Sequence, residues 1–134
     1  MNLPILTTML HYFAIIPIAR KNLMEQYSNY ILTIILSTTV SILWHINNEP
    51  YNLLFFINYV LALTWFLFDY SYSIKKYNFL FFIQIIGANL IIFTLSIICS
   101  IIPSNYYVYA HSLWHILSAI KSYYVSKFIV NYYY

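Results

Sequence analysis

Two histidines stand four residues apart in His111-Ser-Leu-Trp-His115, inside a stretch apolar enough to lie in a membrane. An i, i+4 spacing sets both imidazoles on one helix face, about one turn apart. A helix uses that spacing to offer two nitrogens to one metal ion. Ionisable side chains are costly at membrane depth, so a stacked pair there is a functional hypothesis by default. A third histidine, His45, lies near the end of another apolar segment. Three histidines and a water make an open, catalytic-type zinc site. Ser41 precedes His45 by four residues on the same face, where its hydroxyl could hydrogen-bond a metal-bound water or an oxyanion.

Plainer readings stand beside these. The histidines could be hydrogen-bonded packing residues, and Ser41 could bond the carbonyl four residues back, as serine in membrane helices often does. Haem fits poorly, because two histidines on adjacent turns of one helix cannot take opposite axial positions on one iron. Its partners on other helices would have to be His45 or His11. His11 is either a helix–helix contact or a second layer around the site. A hydrolytic zinc site also needs a base. Asp69 is the carboxylate inside an apolar stretch, but it lies about 16 Å inward of Asn58 along the same helix. Asn58 is at the histidine depth, and an amide is a poor base.

Composition decides which elements must position these residues. Of 134 residues, 63% are hydrophobic and 7% charged, and the mean hydropathy is +0.74. A soluble domain has roughly a quarter of its residues charged, so the class is an all-α integral membrane protein. The net charge of +3 is small and scattered, which excludes a nucleic-acid footprint. The single Cys99 excludes an internal disulfide framework.

A span needs about 20 mostly apolar residues. Five stretches qualify, at 3–19, 30–46, 52–70, 79–102 and 106–130, forming one transmembrane domain. The connectors are short: polar Lys21 to Asn29, the turn Asn47-Asn48-Glu49-Pro50, Ser71 to Asn78 with Lys75-Lys76, and the tight turn Pro103-Ser104-Asn105. With five spans, all six basic residues fall on one side. The positive-inside rule makes that side cytoplasmic, with the N-terminus exoplasmic and the C-terminus cytoplasmic. Lys121 is expected to snorkel toward it. His45, His111 and His115 then share a depth within roughly 3–14 Å of the exoplasmic interface.

These residues resemble the CREST superfamily of membrane hydrolases, which includes alkaline ceramidases and progestin and adiponectin receptors. The family pattern is Ser-x-x-x-His on helix two, an Asp on helix three and His-x-x-x-His on helix seven. Ser41-Ile-Leu-Trp-His45 and His111-Ser-Leu-Trp-His115 match its ends. Asn105 to His115, with Lys75-Lys76 before an apolar helix, is most similar to the transmembrane protein 8 / post-GPI-attachment factor branch. The likeness covers about residues 75–120 and, more loosely, 33–46. It implies zinc held by His45, His111 and His115 with Ser41 beside it, and a lipid ester or amide hydrolase working on the exoplasmic side. The family has seven helices, so this chain resembles a bundle lacking about two. Aligning by distance from His45 gives the family Asp position to Asn58; aligning by Phe-Asp-Tyr gives it to Asp69. The alternative function is a non-catalytic membrane protein that binds metal or lipid, as a receptor-like relative would. Five helices are few to enclose a site, which leaves room for a homo-oligomer.

Overall fold

The computed structural model describes residues 3–75 and 79–132. Lys76, one of the basic residues that orient the chain above, lies outside the described residues. Every long element is a helix, and no strand occurs among the described residues.

The first span, Leu3–Arg20, is broken. It runs as α1 (Leu3–Met9), a 3-10 stretch (Leu10–Ile15) and α2 (Ile16–Arg20). Pro17 sits in the first turn of α2. It has no N–H to give and its ring crowds the carbonyl four residues earlier, so the preceding turn cannot stay α-helical. The tightening is taken up by i→i+3 bonding, as in Ile16 N–H to the Phe13 carbonyl. The sequence predicts an unbroken helix here; Pro17 is why it is interrupted. His11 falls within the 3-10 stretch.

The remaining helices are α3 (Ser28–Ile46), α4 (Leu53–Lys75), α5 (Phe79–Ile101) and α6 (Ser104–Tyr132). Their order and number agree with the sequence reading, with ends shifted by a few residues. Helix α4 continues past Tyr70 through five residues expected in the connector. Helix α6 begins at Ser104 inside the expected turn, directly after Pro103, whose carbonyl accepts from Tyr106 and Tyr107 N–H at 3.0 and 3.2 Å. The first span, α3, α4 and α5 are each long and apolar enough to cross a membrane.

Helix α6 is the exception in hydropathy, and its position explains why. It packs one face against the first span, α4 and α5, while Tyr106, Tyr109, Leu113, Ile120 and Tyr124 on the other face are exposed. Its buried face carries Ser112, Lys121, Ser122 and Ser126 besides the two histidines. Helix α5 is the opposite case: the most apolar span, with only 11% of its window buried. Lipid-facing surface must be apolar, whereas helix contacts inside a membrane use small and polar side chains. The apolar core, with Ile18, Tyr30, Ile34, Phe81, Val125 and Ile129, lies toward the α2 end, away from the histidines.

Candidate metal centre

His45 comes from the last turn of α3, and His111 and His115 from successive turns of α6. Their ligand nitrogens all lie within 4.8 Å of one another. His45 Nε2 and His115 Nε2 are 3.0 Å apart. The three rings meet edge to face, with centroids 4.7 to 5.1 Å apart, and all three are buried.

The local chain explains how His45 is aimed. At the end of α3 the backbone turns through two successive positive-φ residues, Asn48 at 61° and Glu49 at 57°. Asparagine tolerates that region; for glutamate it costs about 1–2 kcal/mol. The Glu49 N–H closes the turn on the Trp44 carbonyl at 2.9 Å, as a helix-ending motif does. The carboxylate is thereby folded back on His45, whose Nδ1 lies 2.8 Å from Glu49 Oε1. Tyr107 OH donates to the other oxygen. Burial pushes the Glu49 carboxyl up, but the hydrogen bonds from His45 and Tyr107 outweigh it and hold the group below its ordinary value of 4.5. An ionised Glu49 keeps the proton on Nδ1 of His45, so the Nε2 lone pair faces the other histidines. A carboxylate behind a histidine is the usual outer support of a metal ligand.

This donor set fits a cation. A proton shared between the Nε2 atoms of His45 and His115 would satisfy those two atoms, but His111 Nε2 and His115 Nδ1 are both buried without a hydrogen-bond partner. Buried polar groups seldom go unpaired. One cation facing the three rings would give His111 Nε2 a partner, and neutral imidazole suits zinc, copper, iron or nickel.

Ser41, Asn58 and His115 line a common cavity of about 50 Å³, between α3, α4 and α6. That is room for a few waters, since one needs roughly 10–15 Å³. Among the described residues Ser41 does not bond the carbonyl of residue 37, whereas Thr33 and Ser112 each bond the carbonyl four back, at 2.8 and 2.6 Å. The Ser41 hydroxyl is therefore not committed to its own helix. His11 lines the same cavity, donates Nδ1–H to the Thr8 carbonyl at 2.8 Å and packs edge-on against His115 at 5.5 Å.

Asp69 is not with the histidines. It is wholly buried, accepts from Tyr30 OH at 2.7 Å and pairs with Lys121 Nζ at 2.5 Å. The expectation of a snorkelling Lys121 is corrected by this pair: each charge is held inside by the other. Lys121 also approaches Asn89 Oδ1 at 3.4 Å. Cys99 is buried on α5.

Sequence reasoning missed Glu49, taking it as part of a turn. Its position four residues after His45 was the available signal. That spacing implies contact only on a continuous helix, and α3 ends at Ile46. Comparison with protein-family models, curated proteins and solved structures returns no match.

Proposed function

We propose that this chain is a five-span, CREST-like membrane protein whose His45, His111 and His115 hold zinc on the exoplasmic side, and that it hydrolyses an ester or amide of a membrane lipid. The observation that carries the reading is the convergence of three buried imidazoles within 4.8 Å. Zinc there supplies Lewis acidity toward a carbonyl. Glu49 fixes the tautomer and aim of His45. Ser41 donates its hydroxyl into the adjoining cavity, toward an oxyanion formed there. Asn58 orients water in the same cavity. The bundle's apolar walls keep bulk water out and admit an acyl chain from the bilayer. The exoplasmic placement rests on the distribution of basic residues.

A second reading is favoured by one observation: Asp69 is engaged with Lys121 and Tyr30, and the cavity presents Asn58 where a hydrolase would place a base. On that reading the protein binds metal and lipid without turnover. Incubating purified protein with ceramides and phospholipids separates the two. The hydrolase reading expects release of fatty acid that Ser41→Ala and His45→Ala both abolish. Intact lipid across the panel, from protein carrying its metal, leaves the non-catalytic reading.

A further inference from the structure

A larger cavity, of about 290 Å³, lies on the Glu49 side of the metal centre and is lined by both Glu49 and His111. Its volume is at the lower end of small-molecule sites, about 300 Å³, which suits a headgroup and not a whole lipid. Its walls are aromatic. On one side Tyr51, just before α4, and Phe55 and Tyr59 in its first turns form a run of tilted rings with centroids 5.0 and 4.6 Å apart, and Trp44 joins Phe55 at 5.8 Å. On the other side stand Tyr107 and Trp114 of α6, flanking His111 at 5.0 and 5.1 Å. Trp44 is held in place by its Nε1–H bond to the Pro50 carbonyl at 3.1 Å.

We infer that this cavity binds the quaternary ammonium of a choline-type membrane lipid, which would set the substrate class of the hydrolase proposed above and rests on that proposal. Aromatic faces attract cations, and rings grouped around a pocket are the recurring solution for quaternary ammonium. Glu49 supplies the complementary negative charge. Each of its oxygens already accepts a hydrogen bond, from His45 and from Tyr107. A quaternary ammonium has no N–H and asks only for the field and the ring faces. A primary ammonium brings three donors that need acceptors, so the cavity discriminates between them. Depth agrees: Tyr51 is 90% exposed at the end of the bundle, where interfacial aromatics meet lipid headgroups. A belt of single outward rings would serve anchoring alone, whereas here rings from α4 and α6 line one cavity beside a carboxylate and a candidate metal ligand.

The test uses zinc-loaded protein in detergent, titrated with short-chain phosphatidylcholine or phosphatidylethanolamine and followed by tryptophan fluorescence. The choline lipid is expected to bind roughly tenfold tighter. Phe55→Leu combined with Tyr59→Leu keeps apolar bulk but removes two ring faces, and is expected to abolish the preference while zinc content is unchanged. Equal affinity for the two lipids, or a preference that survives both substitutions, overturns the inference. Choline chloride competing as strongly as the lipid would make the occupant a soluble ligand and overturn the lipid assignment. Zinc binding without a headgroup preference removes only the headgroup assignment. A preference without zinc removes only the hydrolase.

Discussion

Glu49 Oε1 lies 2.8 Å from His45 Nδ1, although the helix carrying His45 ends before Glu49 begins. The contact exists because the chain accepts a left-handed conformation at a glutamate, which sequence preference alone would avoid. Strain of this kind persists where surrounding interactions over-determine it, and here they are the hydrogen bonds to His45 and Tyr107.

Removing that carboxylate should weaken the metal site without dismantling it. Glu49→Ala is expected to lower zinc affinity by roughly 10- to 100-fold. Glu49→Gln, which keeps an acceptor for Nδ1–H, should lose less. Competition with a chelator of known affinity measures both. Equal zinc affinity in wild type and Glu49→Ala would show that Glu49 does not support the ligand.

The same pair sets a pH dependence in the metal-free protein. The Glu49 carboxyl is held below its ordinary value of 4.5. A group depressed in the folded state contributes stability that is present above the unfolded value and lost as pH falls through the folded one. The difference in thermal midpoint between wild type and Glu49→Gln should therefore be constant near neutral pH and close below about pH 4.5. A difference that widened on acidification would contradict the sign.

The buried Asp69–Lys121 pair should behave as structure, not as part of the metal centre. Asp69→Asn leaves Lys121 buried and uncompensated, at an expected cost of about 3–5 kcal/mol. Adding Lys121→Met should recover much of that loss, because the unpaired charge goes with it. Unfolding in denaturing detergent measures both variants. Zinc content should be unchanged in the double variant; its loss there would tie the pair to the metal site.

Asn58 offers a gain-of-function test of the hydrolase reading. It lines the Ser41 cavity beside His115, at the depth where a base would serve. Asn58→Asp is expected to raise fatty-acid release severalfold over wild type. Unchanged turnover in Asn58→Asp, with loss in Asp69→Asn alone, would move the catalytic carboxylate to Asp69.

The first span, α3, α4 and α5 were readable because apolar length is a strong signal; α6, expected as a fifth span, is a helix but is not among those apolar enough to cross a membrane. The shared depth of His45, His111 and His115 followed from rise per residue and helix direction. Asn58 beside the site and Asp69 remote from it follow from the same arithmetic. Three things were not readable. The break in the first span depends on Pro17 late in an otherwise apolar run, where a kink and a continued helix look alike in sequence. The partner of Asp69 is Lys121, 52 residues away in sequence, and only packing of α4 against α6 brings them together. Glu49 reaches His45 through a turn whose positive φ values a glutamate does not advertise.

The central claim is that three imidazoles share one metal ion, and metal content tests it most directly. Protein purified in detergent with trace zinc present is predicted to carry one zinc per chain by elemental analysis. His111→Ala should carry none while its helical circular dichroism is retained. Wild-type protein that stays metal-free with zinc in excess, or His111→Ala that keeps its zinc, would contradict the account.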